Sequence, residues 1–134
     1  MVNLLLADNI MTSVRKRNNV KVIGKKNGPI LILAHGFGCD QNMWRLMLPE
    51  LERNYQIVLF DYAGSGNSLL TDYTIEKYST LDGYAQDIID IIEELQLTAV
   101  TIIAHSVSSI IASIASLAIP EIINKIIMVC PSPC

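Results

Sequence analysis

The chain has 134 residues, the length of one domain, and its 51% hydrophobic content is enough to build a core. A net charge of −3 without a dense Lys/Arg stripe excludes the electrostatic footprint of nucleic-acid binding. Only 17% of residues are charged and mean hydropathy is +0.37, so part of the apolar surface is expected to need cover.

Residues 1–10 read as an N-terminal extension, with the domain expected over 11–134 and Met11 as its natural start. The leading Met-Val-Asn and three leucines lack both the cationic start and the long apolar core of a secretory signal, so a cytoplasmic location is expected. Cys39, Cys130 and Cys134 are odd in number and have no metal-ligand spacing; they fit reduced thiols, and no metal or cofactor is expected. The Arg15-Lys16-Arg17 run reads as a solvated surface turn.

Residues 19–24, with Val20, Val22 and Ile23, suggest an edge strand; residues 25–28 form a turn that predicts an antiparallel hairpin with the next strand. That strand, 29–34, is a solid aliphatic run, as expected where both faces are buried. Over 40–52, Met43, Trp44, Met47, Leu48 and Leu51 recur at helical spacing behind Asp40, a candidate N-cap. Residues 56–60 form the next buried strand, followed by a polar loop. Residues 79–97 place Leu81, Tyr84, Ala85, Ile88, Ile92 and Leu95 on one stripe with Asp and Glu opposite, an amphipathic helix packed on a sheet. A strand over 99–104, a small-residue helix over 107–118 and a strand over 125–129 complete the order.

The nearly uncharged stretch 98–119 could pass for a membrane span, but His105 and its serines favour a buried strand turning into a buried helix, so no membrane is expected as a partner. Strand and helix alternate as in an α/β fold with a mostly parallel sheet, whose strand carboxyl ends carry the site. Three loops fall there: 35–38, 61–68 and 104–108.

A serine between a β-branched strand and a helix of small residues is held in a sharp turn, where helix dipole and free N–H groups favour a developing anion. Ser106 is the candidate nucleophile, with the Val107 and Phe37 amides as candidate oxyanion donors. His35, Gly36 and His105 are expected to line the pocket, with His35 as a structural hydrogen-bonding residue. Ser106 taken alone is better read as a helix N-cap; the His35-Gly36-Phe37-Gly38 loop upstream reverses this in favour of the elbow. Gly64-Ser65-Gly66 lacks the third glycine of a dinucleotide fingerprint and reads as a plain turn packing against the elbow.

The segments Ala34-His-Gly-Phe-Gly-Cys-Asp-Gln41, Leu59-Phe-Asp-Tyr-Ala-Gly-Ser-Gly66, Tyr78-Ser-Thr-Leu-Asp-Gly-Tyr84, His105-Ser-Val-Ser-Ser109 and Pro131-Ser-Pro-Cys134 resemble α/β-hydrolases. The branch is that of the bacterial energy-stress regulator acting upstream of sigma-B and the plant karrikin and strigolactone receptors, with the bacterial regulator the closer likeness. The resemblance implies Ser106 as nucleophile, Phe37 and Val107 as the oxyanion hole, and small hydrophobic esters or lactones as substrates. It also implies a fold that continues into a helical lid and two more strands bearing the catalytic Asp and His. On that basis 11–134 is expected to be the N-terminal portion of the domain, nearly inactive by itself, with an open edge strand after 125–129. The alternative the resemblance carries is a non-catalytic regulator that senses a small molecule and binds a signalling phosphatase.

Two departures from the general elbow motif stand out. Ala104 and Ser108 occupy the positions of its two glycines, and the Ala104 methyl risks overpacking of roughly 1 to 3 kcal/mol.

Overall fold

A computed structural model describes residues 12–133; the expected extension over 1–10, and Met11, lie outside them. Five strands form one sheet in the order β1-β3-β2-β4-β5: β1 Lys21–Gly24, β2 Ile30–Ala34, β3 Gln56–Leu59, β4 Val100–His105 and β5 Ile123–Val129. Strands β2 to β5 run parallel and β1 antiparallel.

The hairpin expected between the first two strands does not form. β1 pairs instead with β3, Lys21 opposite Leu59 and Gly24 opposite Gln56. The reason is burial: β2 is apolar on both faces, and the centre of the sheet, between β3 and β4, covers both of them. β1 carries Lys21 and is largely exposed, so it takes the edge.

The helix expected over 40–52 is also broken, into a 3-10 turn Gln41–Trp44 and helix α2 Leu48–Leu51. Pro49 has no N–H to give the Arg45 carbonyl, and its ring would clash there, so the second helix begins around the proline. The cap is as expected: Asp40 Oδ1 accepts the Asn42 N–H at 2.8 Å.

Two layers cover the sheet. Helices α4 Leu81–Glu94 and α5 Ser108–Ala118 bury Ala85, Ile88, Ile92, Ile111 and Ala115 against Ile32, Val58, Phe60 and Ile102. Trp44 and its neighbours cover Leu31, Leu33, Ile57, Leu59 and Ile103 on the other face. The stretch 98–119 is β4 turning into α5, and no described helix is long and apolar enough to cross a membrane. From Thr101 onward β4 stays in register through Ala104, paired with Ala34 and Met128; the buried side of α5 there is Ser108, Ser109 and Ala112, small enough to admit the methyl.

Arg17 is not the solvated residue expected. It closes the short helix α1 Val14–Arg17, and its guanidinium, 14% exposed, contacts Asp87 Oδ1 at 3.2 Å and Asp90 Oδ2 at 2.9 Å. Asp87 in turn is fully buried on the apolar side of α4, where the sequence pattern had placed no acid. It accepts Asn18 Nδ2 at 3.0 Å, Tyr78 Oη–H at 2.8 Å and Lys77 Nζ at 3.0 Å, so helix α3 Ile75–Tyr78 is tied to α1 and α4 through one carboxylate.

Candidate active site

β2, β3 and β4 are neighbouring parallel strands, so the loops leaving their carboxyl ends emerge on one edge of the sheet. Ser106 sits in the turn between β4 and α5 with φ of 56°, a left-handed conformation that a side-chain-bearing residue adopts only where the surroundings enforce it. They do so here: its N–H donates to Val129 O at 3.0 Å and its carbonyl accepts Ser109 N–H at 3.0 Å, fixing both sides of the corner. It is not the N-cap serine of the competing reading, since the cap position is Val107 and no side chain bonds there.

The loop after β2 lies directly against this corner. A Cβ on Gly36 would stand 2.5 Å from His105 Nδ1 and 3.3 Å from Ser106 Cβ, so only glycine permits the approach. Gly38, with φ of 73°, then turns the chain away in a left-handed conformation.

His35 fixes the loop from beneath. Its buried ring accepts the Tyr62 N–H on Nε2 at 3.1 Å, which leaves the proton on Nδ1 to donate to Gly36 O at 2.9 Å. Burial pushes the His35 pKa down, against the Gly36 hydrogen bond and the negative charge of Asp61, so the ring is neutral. Gly36 O also accepts the Cys39 N–H at 3.2 Å. That carbonyl belongs to the same peptide as the Phe37 N–H, so holding it turns the N–H to the opposite side. Among the described residues neither the Phe37 nor the Val107 N–H has a hydrogen-bond partner.

Next to these amides lies a cavity of about 660 Å³ walled by His35, Gly36, Phe37, Tyr62, Leu70, Tyr73, Leu81, Tyr84, Val107 and Ile111, among others, with no charged side chain among the described residues that line it. Of the expected site residues, His35, Gly36, Phe37 and Val107 line it. Ser106 is not in its wall but stands between two residues that are, Gly36 and Val107. His105, expected in the pocket, is not in its wall either. Its ring packs against Gly36 with Nδ1 buried and without a partner among the described residues. The Gly64-Ser65-Gly66 turn contributes Gly64 and Ser65 to the same cavity.

The sequence reading missed three residues that shape the site. Asp61 accepts hydrogen bonds from Asn19 Nδ2, Gln41 N and Asn67 N; burial alone would raise its pKa, but these bonds outweigh it and hold the carboxyl below its usual range. Tyr62 walls the cavity, and burial raises its phenol far above its usual pKa. Ser108, fully buried, bonds to both Tyr62 and the His35 carbonyl. The signal for Ser108 was in view, as a polar residue where the elbow motif has glycine. Asp61 and Tyr62 gave no such signal.

The family model for the alpha/beta hydrolase fold matches residues 29–134. A karrikin insensitive 2 receptor of Petunia hybrida is 42% identical over 123 residues, covering 92% of this chain and 45% of that protein. A strigolactone esterase of Arabidopsis thaliana is 40% identical over 115 residues, covering 86% of this chain and 43% of its own length. A solved hydrolase from Oleispira antarctica superposes with a TM-score of 0.87 at 54% identity, covering 90% of this chain and 44% of that one. The chain thus spans less than half the length of these relatives, which bear out the plant side of the resemblance. On sequence, sheet order and superposition together, the chain belongs to the α/β-hydrolase fold family.

Proposed function

We propose that this chain carries the nucleophile and the oxyanion donors of a serine hydrolase acting on small, uncharged, hydrophobic esters or lactones. The observation that carries the reading is the Ser106 corner. A strained φ of 56° is maintained at the one serine that joins a buried strand to a helix start, next to two amides with free N–H groups.

In this reading Ser106 Oγ attacks the acyl carbon while a base takes its proton, and the carbonyl oxygen, gaining negative charge, is met by the Phe37 and Val107 N–H groups. The amino end of α5 adds its dipole at the same place. Both ring nitrogens of His35 are engaged and His105 packs on Gly36, so the reading assigns the base to another group. Without such a base the hydroxyl stays a weak nucleophile, and these residues alone are expected to turn over esters slowly. The substrate class follows from the cavity, whose walls hold aromatic and aliphatic side chains and one neutral imidazole. The esterase and receptor names of the plant relatives agree with a small organic ligand.

The test is covalent labelling. The protein as its gene encodes it, treated with a fluorophosphonate and mapped by mass spectrometry, is expected to carry the label on Ser106 and to lose it in Ser106→Ala. Absence of label, or label on another serine, overturns the reading.

A further inference from the structure

The two candidate oxyanion donors sit on different elements, Phe37 on the loop after β2 and Val107 at the head of α5, and their spacing must be held by something. The only side chain that joins those two elements by a hydrogen bond among the described residues is that of Ser108, whose Oγ reaches the His35 carbonyl. Ser108 follows Val107 directly, and His35 precedes Phe37 by two residues.

The protons in this contact have only one arrangement. A carbonyl can only accept, so Ser108 Oγ gives its single proton to His35 O; Tyr62 Oη, 2.8 Å from the same Oγ, must therefore be the donor to Ser108. Tyr62 thus holds the loop twice, through its phenol by way of Ser108 and through its own N–H to His35 Nε2. Ser108 is fully buried and Tyr62 nearly so, so no water competes for these groups.

We propose that Ser108, backed by Tyr62, is a positioning residue that staples the loop bearing the Phe37 amide to the helix bearing the Val107 amide and thereby sets the geometry of the oxyanion hole. A glycine at this position, as in the general elbow motif, would leave the two halves unjoined by any side-chain hydrogen bond among the described residues. Ser108 touches no substrate. It acts through two backbone amides, and its effect falls on the anionic transition state rather than on the bound ester.

This inference rests on the hydrolase reading, and the experiment separates the two. In the protein as its gene encodes it, kinetics on an aryl acetate are compared with affinities for an aryl boronate, which forms a tetrahedral anion on Ser106, and for a neutral amide of the same size. Ser108→Ala is expected to lower kcat and boronate affinity together by about ten- to a hundred-fold, less than loss of an oxyanion donor itself, with KM and amide affinity within about two-fold. Tyr62→Phe, which keeps the ring in the cavity wall, shows a smaller loss with the same split and decides the matter if Ser108→Ala does not fold. Equal losses for boronate and amide, or none for either, overturn the staple. If Ser106→Ala retains the esterase activity, the hydrolase reading fails instead. The staple is then read from hydrogen exchange at the Cys39 amide, which bonds Gly36 O at 3.2 Å. Faster exchange in Ser108→Ala supports it, and unchanged exchange overturns it.

Discussion

At the scale of single residues, the site depends on one neutral imidazole. His35 donates Nδ1–H to the Gly36 carbonyl and accepts the Tyr62 N–H on Nε2; a second proton would turn both nitrogens into donors, keeping the Gly36 bond and breaking the one from Tyr62. Its folded-state pKa lies below the ordinary 6.5, chiefly through burial. Above 6.5 the ring is neutral whether folded or not, and its contribution is whole. As pH falls below 6.5 the unfolded chain takes up a proton that the folded chain resists, so stability declines until the lowered folded pKa is reached. Asp61 acts in a separate window, below 3.8, where the unfolded carboxyl protonates before the hydrogen-bonded one. Urea titrations should therefore show stability falling from pH 6.5 downward, by at most about 1.4 kcal/mol per pH unit from this group, with the decline removed in His35→Gln. A decline that persists unchanged in His35→Gln would refute the assignment. The candidate nucleophile was legible in the sequence only together with the His35-Gly36-Phe37-Gly38 loop, since Ser106 taken alone reads as a helix N-cap. The proton on His35 was not, since it depends on the N–H of Tyr62, which is distant in sequence and brought near only by the pairing of β2 with β3.

At the scale of elements, α4 shows both the reach and the limit of periodicity. Its stripe of Leu81, Tyr84, Ala85, Ile88 and Ile92 does face the core. Asp87 stands three residues after Tyr84 and four before Ile91, within that stripe, and an acid there is a sign of buried partners rather than of solvent. Those partners, Arg17, Asn18, Lys77 and Tyr78, come from two separate segments earlier in the chain and could not be paired by spacing. Asp87→Asn removes the fully buried carboxylate and leaves Arg17 and Lys77 only that of Asp90, 22% exposed, at 2.9 and 3.9 Å. The expected loss is about 3 kcal/mol in chemical denaturation, the lower end for a broken buried pair because the two cations keep 14% and 30% exposure. Lys77→Met should cost under about 1 kcal/mol, and an Asp87→Asn loss that small would mean the network does not hold α1 and α3 in place. The break in the helix expected over 40–52 was missed, although Pro49 carries the signal for it. The partner of β1 was not legible, because a short turn invites a local hairpin while the actual pairing is decided by which strands require burial on both faces.

At the scale of the whole molecule, the order of strands and helices followed from the alternation of aliphatic runs with helical spacing, and with it the edge of the sheet where three loops meet. Among the described residues β5 is the last strand of the order, with Ile127 and Met128 each 50% exposed, an apolar edge of the kind the resemblance implies. The cavity was legible only in its glycine-rich rim. Its aromatic wall comes from Tyr62, Tyr73 and Tyr84, in the loop after β3 and at the start of α4, where no periodic signal marks a pocket. The claim on which the rest depends is that one sheet edge presents a serine hydroxyl to two amides from different elements. A crystal structure of the protein with a phosphonate bonded to Ser106 tests it directly. The account predicts the phosphoryl oxygen within about 3.1 Å of both the Phe37 and the Val107 nitrogens. An oxygen turned toward solvent, or held by other donors, would contradict it.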